Sequence, residues 1–470
     1  MLGILASVQL SARITLSPLF SDGMVLQRES NVKIWGSTDS DSRISLTTSW
    51  DNRLYTCKPA SNGNWSVSIA TPKAGGPYFL TIDDGSKLVI NDIRIGEVWI
   101  CSGQSNMEMT MRGFPSQPVQ NASEYILDAD EYDIHAFTLS RAASNTALSV
   151  CEGKWEKSSM ASVPGVSAVA YLFALRLQKT LKVPVGIIIS AWGGSSILGW
   201  MPVPAIEASI SSEEKASVLQ YCNTSKDQPG VLFNGMIAPL AGYGAKGFLW
   251  YQGEANVNTP EIYGKLIKSM VGAWRSSWGD RKGEMPFYAV EIAPYRYGRG
   301  NELKFDRPLT VEATVKALAS IPNAALSPTG DIGEPAVIHP ARKKEVGDRL
   351  AMLALRHQYG YKDLDCLPPV VKKIEYKDGS AYLYTSEGQM VANAPVLLGF
   401  EIAGKDECYY KAEAFADRRN GYIVLSSKDV PSPVAVRYGF HNFYKQNFAN
   451  WMGIPALPFR TENWDYSNQQ

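Results

Sequence analysis

Between residues 96 and 364 the chain alternates short apolar runs with stretches whose apolar residues recur at helical spacing. The runs are Val98 to Cys101, then residues 183–190, 247–251, 287–292 and 324–326, and each gives way to small or polar residues. The helical stretches cover residues 166–182 and 260–278, a segment ending before Ile321, and residues 341–359. Strands apolar on both faces must be covered on both faces. The alternation therefore predicts a parallel sheet with right-handed crossovers and helices on either side.

Helical periodicity is missing on either flank. Residues 13–95 read as short strands punctuated by Asn62-Gly63-Asn64 and Asp83-Asp84-Gly85, which predicts an N-terminal β-sandwich. Strand patterns return in residues 365–470, a C-terminal β-rich domain. At 470 residues the chain exceeds what one hydrophobic core usually serves, so a core over 96–364 flanked by two β units suits its length. Residues 1–12 are small and apolar and resemble the remnant of a signal peptide, which makes a periplasmic or extracellular location the expectation. No later apolar stretch is long enough to span a bilayer.

Lys plus Arg and Asp plus Glu are both 46, which removes the electrostatic basis for nucleic acid as a partner. The six cysteines include no Cys-x-x-Cys pair, which argues against a zinc ribbon or a dithiol redox site.

The run ending at Cys101 is followed by Ser102-Gly103-Gln104-Ser105-Asn106. Open parallel sheets bind ligands at the carboxyl ends of their strands, so Ser105 is the candidate nucleophile, although a helix N-cap has the same local signature. Among four histidines, His357 lies in a helical pattern and His135 and His441 in aromatic surroundings. His339, in a loop before a helix and fixed by Pro340, is the candidate base. Oxyanion donors are available from the Ser105 N–H, from Gly193 or Gly194 after one strand, and from Gln252 or Asn256 after another.

With these motifs in hand, the chain resembles the SGNH-type hydrolases, and within them the sialate O-acetylesterases. The resemblance rests on Gly103-Gln104-Ser105-Asn106-Met107-Glu108, on Trp250-Tyr251-Gln252-Gly253-Glu254-Ala255-Asn256, and on Asp331-Ile332-Gly333-Glu334 with Ile338-His339-Pro340. It implies a flavodoxin-like α/β core and a serine esterase that removes acetyl groups from an O-acetylated carbohydrate, with no metal or cofactor. Acetylated xylan is the alternative substrate, and a non-catalytic carbohydrate-binding protein the rival reading. The family often places an aspartate three residues before the histidine, where this chain has Ala336. Asp331 is then the first choice for the triad acid, with Glu334 or a Ser–His dyad as alternatives. Arg112, Arg296, Arg299 and Arg437 are cations available for a sialate carboxylate. Trp192 and Trp250 are expected to restrict the acyl pocket.

Overall fold

The computed structural model describes residues 14–297, 304–385, 396–417, 419 and 421–464. The expected leader and Arg299 lie outside these residues.

One strand organises the molecule. β1 (Lys87–Gly103) begins with alternating burial where it pairs antiparallel with Gly75–Asp83, and from Ile95 to Gly103 every residue is buried. The change follows from its surroundings: the first half has one covered face, the second half two. The β-rich N-terminal region and the α/β region thus share a strand across residue 96. They also share a hydrophobic core, in which Ile34, Leu46 and Ile82 join Val98, Ile188 and Trp250.

The second half of β1 lies at the centre of a parallel sheet. Its other members are β2 (Ile134–Thr138), β3 (Trp155–Lys157), β4 (Val185–Ala191), β5 (Gly247–Tyr251), β6 (Phe287–Val290) and β7 (Ala324–Ser327), in the order β3-β2-β4-β1-β5-β6-β7. Only β3, at the edge, runs antiparallel to its neighbour. From β1 the chain crosses to β2, adds β3 at the edge and returns to place β4 between β2 and β1, then builds outward on the other side through β5 to β7. The strand order therefore reverses at β1, which puts a crevice at its carboxyl end.

The pleat of β1 sends Trp99 and Cys101 to one face and Val98 and Ile100 to the other. The first face is covered by α2 (Ala168–Leu181) and α5 (Lys343–Gln358), which pack on each other. On the second lie α3 (Pro260–Ser277) and α4 (Asp306–Ala319). In α3, Leu266, Ile267, Met270, Val271 and Trp274 form a buried stripe. Each contributes about 1.5–3 kcal/mol of transfer free energy, more than helix propensity supplies. The single-turn α1 (Ser105–Glu108) follows β1 directly. After α5 the chain forms two four-stranded antiparallel sheets with their own apolar cluster around Leu383, Phe400, Leu425 and Tyr438. No described helix is long and apolar enough to cross a membrane.

Candidate active site

The crevice is built from the ends of three adjacent strands. Gly103 ends β1 at φ +141°, and a Cβ there would lie 2.1 Å from the carbonyl oxygen of Tyr251, so glycine is required. Past it, Gln104 N–H donates to Tyr251 O at 2.9 Å and Trp192 N–H to Gly103 O at 3.0 Å, which ties the exits of β1, β4 and β5 together. Ser105 opens α1 at this junction, half-buried. A bond of 2.6 Å from the Ser167 hydroxyl, at the N-cap of α2, to Met107 O holds the short helix down.

Residues 234 positions apart meet here. The Ser105 Oγ and His339 Nε2 are 2.9 Å apart. The other ring nitrogen, Nδ1, is 2.7 Å from Oε1 of Gln117. An amide oxygen only accepts, so Nδ1 carries the proton and Nε2 is left to accept the Ser105 hydroxyl hydrogen. Phe114 packs edge-on against the imidazole at 5.0 Å. Burial, and secondarily the ammonium of Lys343, push the imidazole down to about 4, so it is a neutral base across the ordinary pH range.

Gln117, rather than either acid expected from the sequence, orients the histidine. It sits on a tight turn in which Phe114 and Gln117 exchange backbone hydrogen bonds of 3.0 and 2.9 Å. Gly113 enters that turn at φ +83°, where a Cβ would lie 2.3 Å from Gln117 O. Asp331 is elsewhere: its carboxylate receives both arms of Arg349 at 2.8 and 2.7 Å, and its carbonyl accepts from Arg342 at 3.0 Å. Its strong attraction to a guanidinium makes it a pin for the loop that carries His339. With both ring nitrogens engaged, Glu334 does not meet the imidazole either. The sequence carried little sign of Gln117, since a neutral amide in an irregular segment has no charge or period to mark it.

The expected oxyanion donors separate into two groups. Gly193 is next to Ser105, and a Cβ on it would come within 3.3 Å of the Ser105 Cβ. Its N–H donates to Oε2 of Glu108 at 2.9 Å, while the other oxygen of Glu108 pairs with Arg141 at 2.6 Å. Arg141 also lies 5.6 Å from the centre of the Trp192 ring. Gly194 follows at φ +67° and is exposed. The side-chain amides, by contrast, join the two loops to each other. Gln252 Nε2 donates to Ser195 O at 3.1 Å and to Asn256 Oδ1 at 2.7 Å, and Asn256 Nδ2 donates to Ser196 Oγ at 3.2 Å. Trp250 does not wall an acyl pocket, because its side chain is fully buried between Trp200 and Trp274. Trp192 remains beside the site.

The other histidines have structural settings. His135 Nδ1 lies 2.7 Å from Gly23 O and Nε2 3.1 Å from Asp133, and His441 lies 2.9 Å from Glu401. His357 is on α5 near the Tyr288 ring. Arg437 is buried in bidentate contact with Glu401, which removes it from the cations available to a substrate. Arg112 and Arg296 are exposed. All six cysteines are free thiols, and no cluster of metal ligands occurs among the described residues.

The chain is similar to known carbohydrate esterases over most of its length. A family model described as carbohydrate esterase, sialic acid-specific acetylesterase, matches residues 95–355. Human sialate O-acetylesterase is 24% identical over 489 residues, covering 93% of this chain and 91% of that protein. The rat sialate O-acetylesterase is 28% identical over 412 residues, 75% of each chain. The crystal structure of a carbohydrate acetylesterase from Xanthomonas citri superposes with a TM-score of 0.86 at 32% identity, covering 96% of this chain and all of that one.

Proposed function

Because the chain belongs to the sialic acid-specific acetylesterase family of carbohydrate esterases, we propose that Ser105 and His339 are the nucleophile and general base with which it removes acetyl groups from sugar hydroxyls. The contact between Ser105 Oγ and His339 Nε2 carries this reading. In it, Nε2 takes the hydroxyl proton as Oγ bonds to the acetyl carbonyl carbon, giving a tetrahedral oxyanion. In this reading the oxyanion is met by the Ser105 N–H and by a glycine N–H from residues 193–194, that of Gly193 on leaving the Glu108 carboxylate. His339 then passes the proton to the departing sugar oxygen, and the acetyl group is left on Ser105. A water molecule, deprotonated by His339 in turn, releases acetate and restores the serine.

Gln117 differs from a carboxylate in this scheme. It fixes the tautomer but brings no negative charge to the imidazolium that forms in each step. A weak base held in the right tautomer suits an ester better than an amide, since a sugar oxygen is a better leaving group than an amine nitrogen and needs less help from the proton that His339 returns.

O-acetylated sialic acid is the substrate the curated relatives point to. A broader reading, another acetylated carbohydrate, is supported by the similarity to the Xanthomonas citri carbohydrate acetylesterase, and acetylated xylan is the case we test against it. Acetate release from O-acetylated sialic acid and from acetylated xylan, measured at equal ester concentration, separates them. A kcat/KM at least tenfold higher on the sialate supports the first reading, and the reverse ratio establishes the second. Export to the periplasm or beyond fits either substrate, since both glycans are met outside the cytoplasm, and fractionation of cells carrying the full chain tests it.

A further inference from the structure

Beneath the catalytic pair is a buried polar cluster that the reaction scheme does not use. Lys343, the first residue of α5, has a side chain with 0% exposure, and its Nζ donates to Oδ1 of Asn106 at 2.5 Å. Asn106, also fully buried, donates through Nδ2 to Oε1 of Glu254 at 2.6 Å and to the carbonyl of Ile338 at 3.1 Å. Asn106 is the residue after the nucleophile, Ile338 the residue before the base, and Glu254 belongs to the loop after β5. One side-chain amide therefore bridges the loops of Ser105 and His339.

An amide is nearly symmetric in shape, so its orientation is set by its partners. Two acceptors on one side and a cation on the other permit a single orientation here. If Lys343 could not donate, Oδ1 would be a buried acceptor facing an apolar group, and the Glu254 carboxylate would lose its buried counter-charge. Both consequences favour turning the amide or opening the bridge to Ile338. We propose that Lys343 is a positioning residue for Ser105 and His339, acting through the amide of Asn106. The inference rests on the serine-esterase reading and adds to it a residue that touches neither substrate nor reacting atoms.

The charges around the cluster also couple it to the base. Facing Lys343 are Glu254 from the loop after β5, the Tyr251 ring at 5.7 Å from β5, and His339 from the loop before α5. Tyr263 and Tyr297 face Glu254, and Glu108, paired with Arg141, is the charged group on the helix of Ser105. Burial drives Lys343 down to about 7 and Glu254 up, each partly restrained by the other. While the ammonium is charged it disfavours the imidazolium of His339. Loss of that charge raises the pH at which His339 becomes protonated, a shift that a merely structural role would not produce.

The test uses Lys343→Met, which keeps the length of the side chain and removes its donors, Asn106→Ser, and the double variant. Each is assayed on an acetyl ester, with circular dichroism and a thermal melt to establish folding. Lys343→Met is expected to lower kcat about 10- to 100-fold with KM within threefold, and to move the acid limb of kcat/KM to higher pH. The double variant should be no slower than the poorer single one, because both changes act on one amide. A folded Lys343→Met enzyme with kcat within threefold of the parent, or losses that multiply in the double variant, overturns the inference. Should Lys343→Met not fold, Lys343→Met with Glu254→Gln removes both buried charges and must still show the kcat loss. Ser105→Ala is run alongside: activity retained there defeats the serine-esterase reading itself, whereas an inactive Ser105→Ala with an unimpaired Lys343→Met defeats only the role of Lys343.

Discussion

Gln117→Ala removes the one partner of His339 Nδ1, a bond of 2.7 Å, while leaving the contact with Ser105 possible. Two losses follow. The tautomer with the proton on Nε2 becomes accessible, and in it the ring cannot accept the serine proton. The imidazole also gains freedom about its own axis, held only by the edge of Phe114. A neutral hydrogen bond of this kind is worth about 0.5–1.5 kcal/mol net, and leaving Nδ1–H half-buried without an acceptor adds about 1–3 kcal/mol. Together these raise the barrier by roughly 1.5–4.5 kcal/mol, or about 10- to 2000-fold in kcat at 1.36 kcal/mol per decade. That is less than the roughly 10⁴-fold attached to a buried aspartate orienter, because no charge interaction is lost. Gln117→Glu is the complementary change: a carboxylate at Nδ1 stabilises the imidazolium, so the histidine titrates at higher pH and the acid limb of kcat/KM moves up from its parental position. Steady-state kinetics on an acetyl ester between pH 4 and 9 reads both effects. A Gln117→Ala enzyme within twofold of the parent at every pH, or a Gln117→Glu enzyme with an unmoved acid limb, would refute the assignment of Gln117 as orienter.

Three further outcomes are expected. Because burial and Lys343 hold His339 at about 4, activity of the unmodified enzyme should persist as pH falls through 6.5 and be lost near about 4, and an acid limb at 6.5 contradicts the environment described. Asp331→Asn should lower stability by about 1–3 kcal/mol, since Arg349 loses its paired carboxylate, while kcat stays within about threefold; a loss of three orders of magnitude would return Asp331 to the catalytic unit. Glu108→Ala frees the Gly193 N–H from a competing carboxylate and removes a negative charge from beside the developing oxyanion, so kcat/KM should rise about two- to tenfold, and a tenfold fall would instead make Glu108 part of the machinery.

The strands and helices of the core were legible because burial imposes a period on sequence. The runs ending at Cys101, Ser190 and Tyr251 are buried on both faces, and α3 carries its stripe from Leu266 to Trp274. That Ser105 and His339 come within hydrogen-bond distance follows from a related feature, since both adjoin residues that fix backbone position, a strand end with a required glycine and Pro340. Three things were not legible. Gln117 is uncharged and lies on a turn whose geometry depends on Gly113. Lys343 stands beside Arg342 and Lys344 at the start of an amphipathic helix, where lysine is ordinarily a solvated residue, and only the fold reveals that it points inward. The amides of Gln252 and Asn256 have the right chemistry for an oxyanion hole, but bonds to Ser195, Ser196 and each other set their direction. Sequence reports which groups are available near a strand end; it does not report which way a neutral amide faces.

The central claim is that Ser105 carries the acyl group, activated by His339. A fluorophosphonate, which bonds covalently to an activated serine oxygen, tests this most directly when the labelled peptide is identified by mass spectrometry. The account predicts one adduct on Ser105, none in Ser105→Ala, and labelling slowed by at least 100-fold in His339→Ala. A folded Ser105→Ala enzyme that still releases acetate at the parental rate, or that is labelled at another serine in step with inactivation of the parent, would contradict it.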